Sequence, residues 1–113
     1  MIRSAMTLEE LEGQIAELEA NGRWSDVARA LEQRADLTDD EQSIPALLRL
    51  MQLYRERFSN HALAMRAAER IVQIDPRQDA VAYLREIYVF RREHDKLAWL
   101  ERQLEGQTRG PYR

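Results

Sequence analysis

Leu50-Met51-Gln52-Leu53-Tyr54 and Leu84-Arg85-Glu86-Ile87-Tyr88 carry one pattern at an offset of 34 residues. In each, a Leu is followed three residues on by a second branched apolar residue and four residues on by Tyr, the spacing of neighbours on one helical face. A second trio recurs around the first. Ala30-Leu31-Glu32 returns 69 residues later as Trp99-Leu100-Glu101, close to two such periods, with Ala67-Ala68-Glu69 between them. A chain that repeats a helical pattern every 34 residues is organised as stacked copies of one small helical unit.

Working outward from these segments, the apolar spacing predicts six helices. Leu8, Leu11, Ile15 and Leu18 define the first, over about 8–20, with Thr7 and Glu10 spaced as a capping box. Asn21-Gly22 stops it. Val27, Ala28, Leu31 and Ala35 define the second behind Ser25, expected as a cap. The polar run 37–43 closes at Ser43 before Ile44-Pro45, where proline suits the first helical turn. The third helix then reaches about Phe58. Ser59-Asn60 turns the chain into a fourth, carrying Leu63, Ala64, Ala67, Ala68, Ile71 and Ile74, which Asp75-Pro76 ends. The fifth, about 79–92, carries Val81, Leu84, Ile87 and Tyr88, with Tyr83 and Phe90 adding a second apolar stripe. After Glu93-His94-Asp95 the sixth carries Leu97, Leu100 and Leu104, and Gly106 is expected to end it. No alternating β-branched run suggests a strand.

Composition bounds what such a chain can do. The 113 residues include no Cys, so neither a disulfide nor a thiolate metal site is available. With 44% hydrophobic residues the chain is too apolar for disorder, and no apolar run approaches a membrane span. The N-terminus has no apolar stretch before Glu9, Glu10 and Glu12, so no export signal is read and a bacterial-type cytoplasm is expected. Net charge is −3, unevenly spread: residues 1–41 hold eleven acids against four arginines, residues 42–113 nine acids against thirteen bases.

The period of 34 and the helix–turn–helix unit resemble the tetratricopeptide repeat, over about 8–105. In the middle unit Leu47, Leu50, Met51 and Tyr54 occupy the first-helix positions, Ala64 and Ala68 the second-helix ones, and Pro76 the terminal proline. Leu11, Ile15 and Leu18 correspond in the first unit, with Gly22 and Trp24 in the turn and Val27 and Leu31 on the second helix; Val81, Leu84 and Tyr88 correspond in the last. The array is degenerate: the family's first-helix glycine is replaced by Ile15, Met51 and Arg85, and the middle turn has an extra residue. A generic helical-hairpin solenoid is the alternative. The resemblance implies an all-α, right-handed α-α superhelix of three antiparallel hairpins over 8–106, between an extension at 1–7 and a disordered tail at 107–113.

Residues that could carry chemistry are few. His61 and His94 fall in turns, with no partner ligands at metal spacing. Ser25, Ser43 and Ser59 each precede a helix and are expected as caps rather than nucleophiles. Asp39-Asp40-Glu41 lacks the alternating oxygen ligands of a calcium loop. Phe90-Arg91-Arg92 is a small basic patch without the stripe that nucleic-acid binding needs. No catalytic residue, metal or cofactor is therefore expected.

Repeat arrays bind through the face lined by the first helix of each unit. The resemblance places its contact positions at Glu9, Glu12, Ala16 and Glu19, then Leu48, Gln52, Arg55 and Glu56, then Asp79, Ala82, Glu86, Val89 and Phe90. It implies a protein-interaction adaptor that holds a peptide segment carrying basic and apolar residues, with no nucleic-acid partner. The Lys/Arg set that chaperone-binding members use to grip a terminal carboxylate is not found. The alternative is a structural homo-oligomer joined through its terminal hairpins. For that reading Tyr83, Trp99 and Arg102 form the end surface, since Trp99 projects away from the Leu97, Leu100 and Leu104 stripe; the competing expectation buries Trp99 against Tyr83 or Phe90.

Overall fold

The computed structural model describes Thr7–Thr38 and Asp40–Arg109. It contains six helices: α1 (Leu8–Ala20), α2 (Trp24–Leu37), α3 (Ile44–Glu56), α4 (His61–Ile74), α5 (Gln78–Phe90) and α6 (His94–Arg109), with a 3-10 turn at Glu41–Ser43. No strand occurs among the described residues. Each helix packs on the next along the chain, and α4 also touches α6.

The α1 start is the capping box expected from the sequence. Thr7 Oγ1 accepts from the Glu10 N–H at 3.1 Å, and the Glu10 side chain accepts from the Thr7 N–H at 3.0 Å. The expected serine caps are not formed. Arg23 stands at the N-cap of α2, where no side chain caps the helix, and Asn60 caps α4 by accepting from the Leu63 N–H. Ser43 is instead fully buried beneath the α2–α3 connection. Its hydroxyl lies 3.0 Å from the Ala35 carbonyl and 2.5 Å from the Thr38 carbonyl, with Thr38 Oγ1 at 2.8 Å. Arg34 donates to the Gln42 carbonyl at 3.0 Å. Together these bonds satisfy carbonyls at the end of α2 and pin the connection over it.

The connections fall at two ends of the molecule. Residues 21–23, 57–60 and 91–93 share one end, joined by the Arg57 guanidinium lying 4.0 Å from the Trp24 ring and by Arg91 Nη1 at 3.1 Å from Met65 Sδ. The other end, the loop end, holds the α1 start and the α2–α3 and α4–α5 connections. At the turn end, the first and third connections have the same geometry. Arg23 N–H reaches the Leu18 carbonyl and Glu93 N–H the Tyr88 carbonyl, each at 2.9 Å, around the left-handed residues Gly22 (φ 68°) and Arg92 (φ 57°). The middle connection is one residue longer, with Asn60 N–H reaching the Tyr54 carbonyl and Ser59 at φ 48°.

The core runs the length of the array. Leu11 and Ile15 enter it from α1; Val27, Leu31 and Ala35 from α2; Leu47, Leu50 and Met51 from α3; Ala64, Ala68 and Ile71 from α4; Leu84 and Tyr88 from α5; and Leu100 from α6. The alanines let backbones approach closely where two helices cross. Helix α3 is buried on most of its circumference because both flanking helices cover it. At the last element the structure corrects the expected stop. Helix α6 passes through Gly106 to Arg109, three residues into the expected tail, and Gly106 does not adopt the left-handed conformation that would end it. Residues 1–6 and 110–113, which the expected extension and tail also include, lie outside the described residues.

Candidate functional site

Helices α1, α3 and α5 share one face of the array, and two adjoining grooves run across it. The first, about 360 Å³, lies between α3 and α5 and is lined by Met51, Gln52, Arg55, Glu56, Asp79, Ala82, Tyr83 and Glu86. The second, about 270 Å³, lies towards α1 and is lined by Glu19, Arg49, Gln52, Leu53, Glu56 and Arg57. Gln52 and Glu56 line both, so the two form one trough. Its continuity follows from residues 49, 52, 53 and 56 forming a single stripe along α3.

Tyr83 floors the α3–α5 groove. It is only 4% exposed; its hydroxyl lies 2.9 Å from His61 Nδ1 and the Arg55 guanidinium lies 4.4 Å from its ring centroid. Burial first of all pushes the phenol above its ordinary 10, while Arg55 and Arg91 oppose that shift. The stack holds Arg55 flat against the groove floor. Around this cation stand Glu56, Asp79 and Glu86, none of which forms an ion pair among the described residues. At the α1 side the charges are matched instead, Glu19 pairing with Arg49. The groove between α3 and α5 therefore carries surplus negative charge beside an aromatic and thioether floor.

The trough gathers Glu19, Gln52, Arg55, Glu56 and Glu86, with Asp79 and Ala82, from the positions named in the sequence. The others lie elsewhere. Glu12 turns to α2 and pairs with Arg34 Nε at 3.0 Å. Leu48 is half-buried against the core. Val89 and Phe90 stand exposed at the end of α5, beyond the groove. Of the residues named for an end surface, Tyr83 lies inside the fold and Trp99 is half-buried against the core, while Arg102 is exposed on α6. The outward side of α6 presents Asp95, Ala98, Glu101, Arg102 and Glu105, a polar covering. Arg49, Arg57 and Met51 are groove residues that the register did not name. The signal for Arg49 was the stripe it shares with Gln52 and Glu56 on α3; Met51 stands one turn before Arg55, and Arg57 follows the end of the helix.

A larger hollow of about 490 Å³ lies between the α2–α3 connection and the end of α4, lined by Asp40, Glu41, Arg70, Gln73 and Ile74. It contains none of the expected contact positions and has no aromatic floor. No group of three or more His, Asp or Glu side chains able to hold a metal occurs among the described residues, and no described helix is long and apolar enough to cross a membrane. No protein-family model, curated protein or solved structure matches the chain.

Proposed function

We propose that the chain is a degenerate tetratricopeptide-like array of three hairpins wound as a right-handed superhelix, and that it works in the cytoplasm as a non-catalytic adaptor. Its α1–α3–α5 trough takes a peptide segment of a partner protein. Two recurrences support the repeat. The turn geometry at 21–23 returns at 91–93, and the tyrosine closing α3 and α5 donates in each case to a glutamate of the preceding helix, Tyr54 to Glu32 and Tyr88 to Glu69.

The observation that carries the binding role is the unpaired carboxylate set Glu56, Asp79 and Glu86 around the Tyr83 floor. A lysine or arginine of the ligand finds carboxylate partners there, and an adjacent apolar side chain finds Met51 and Tyr83. Such a surface selects short segments in which basic and apolar residues alternate along one face.

Selection from a displayed library of random dodecapeptides tests this, with the enriched peptides synthesised and titrated calorimetrically. Enrichment of basic–apolar motifs, and loss of their binding in a Gln52→Ala, Arg55→Ala, Glu86→Ala variant of unchanged helicity, is the expected result. Enriched peptides that bind this variant as well as the native chain would eliminate the trough as the site.

A further inference from the structure

We infer that the two ends of the molecule are complementary to one another and that a second copy of this chain docks its loop end onto the turn end of the first. The large apolar side chains exposed among the described residues are Leu8, Leu37, Phe58, Val89 and Phe90. None lies in the trough. Leu8 and Leu37 sit at the loop end, Phe58, Val89 and Phe90 at the turn end, and Phe90 is 82% exposed. Single exposed apolar residues are ordinary on a protein surface; here they are sorted to two sites, and the charges are sorted with them.

The turn end also holds Arg57, Arg91 and Arg92, and none forms an ion pair among the described residues. Arg23 at this end is already matched by Asp26, and Glu93 by Lys96, leaving Glu56 and Asp95 as exposed acids against the three arginines. At the loop end, Glu9, Asp40, Glu41 and Asp79 are exposed without ion pairs, while Arg77 is matched by Asp75 and Arg70 by Asp36. Each end thus offers exposed apolar side chains with a surplus of unmatched charge, positive at the turn end and negative at the loop end.

The two surfaces differ, so their contact is heterologous: one copy's loop end meets the next copy's turn end and leaves both outer ends free. Such a contact propagates into a filament, or closes into a ring if the rotation allows. The polar outer side of α6 takes no part, which separates this assembly from one joined through terminal hairpins. Arg57 and Asp79 belong to both the ends and the trough, so the two roles are told apart at end residues that the trough does not contain.

Two variants of the full chain, each with one end altered, test the inference by sedimentation velocity over a wide concentration range. The first is Phe90→Ser with Arg92→Ser; the second is Glu9→Lys with Glu41→Lys. All four positions are exposed, and circular dichroism checks that helicity is kept. The native chain is expected to grow beyond a dimer as concentration rises, and to do so about tenfold more weakly at about 1 M than at about 0.1 M salt, where the screening length falls from about 10 to about 3 Å. Either variant alone should stay at the 13.3 kDa monomer mass. Mixed in equal amounts they should form a dimer that grows no further, because one intact loop end and one intact turn end remain to meet. A native chain that stays monomeric throughout, or variants that associate as the native chain does, overturns the inference. Peptide binding by both variants should be unchanged, so failure here leaves the trough reading intact and failure there leaves this one.

Discussion

At the residue scale, the left-handed positions at the turn end show how one backbone geometry is met by different side chains. Gly22 adopts φ 68° without steric penalty, whereas Arg92 adopts φ 57° in the corresponding turn with a Cβ that crowds the following carbonyl. Arg92→Gly is therefore expected to stabilise the fold by about 0.5–1 kcal/mol, and Gly22→Ala to destabilise it by about 1 kcal/mol. Urea unfolding of the two variants checks both signs; a loss of stability in Arg92→Gly would mean that its side chain contributes more than its backbone costs. Gly22 was legible as a stop because glycine commonly occupies this conformation. Arg92 was not, since nothing in an arginine announces a positive φ. The serines were misleading for a related reason. Several polar residues stand at each helix start, and which one caps depends on the path of the chain. Asn60 took the role expected of Ser59, and burial drew Ser43 into bonds with the carbonyls ending α2.

At the scale of elements, the bonds between successive helices are the informative ones. The Tyr54 hydroxyl donates to Glu32 Oε2 at 2.8 Å, and Tyr88 to Glu69 Oε2 at 2.5 Å. Burial, and then the bond to Glu32, push the Tyr54 phenol up to about 12; burial and Glu69 raise Tyr88 in the same direction. A raised folded value means that the native state holds the proton more tightly than the unfolded chain. The stabilisation is fully present below the ordinary value of 10 and, for Tyr54, is lost as pH rises from 10 to about 12. Stability against urea should fall above pH 10, and less steeply in a Tyr54→Phe, Tyr88→Phe variant. At neutral pH each replacement should cost about 1.5–3 kcal/mol, the range for hydrogen bonds to charged groups. An equally steep alkaline fall in the double variant would place its origin in other groups. The sequence showed the tyrosines and the Ala-x-Glu trios as separate recurrences. That they meet depends on the angle and offset at which α3 crosses α2 and α5 crosses α4.

At the scale of the whole molecule, extents of 50 × 34 × 22 Å describe an elongated body in which each helix is supported mainly by its neighbours. Stability should therefore be graded along the chain. Helices α3 and α4 bury seven and six residues and are covered on both sides, whereas α1 buries two. Native-state hydrogen exchange is expected to be slowest in α3 and α4 and fastest in α1 and in the last turns of α6. Uniform protection across all six helices would show instead that the array opens only as one cooperative unit.

The all-helical class, the six elements and most of their bounds were legible in the chain, because helical periodicity, glycine turns and the Pro45 and Asp75-Pro76 signals act over a few residues. The contact positions that the resemblance implied include Gln52, Arg55, Glu56 and Glu86, which the structure places along the trough. The tertiary structure decided the rest. It turned Glu12 to Arg34, sank Tyr83 beneath Arg55, set Val89 and Phe90 beyond the groove and carried α6 through Gly106. Each of these depends on what a neighbouring helix presents at a given height and angle. Local periodicity tells which side of a helix is buried, but the partner that a side chain meets is settled by packing between segments distant along the chain.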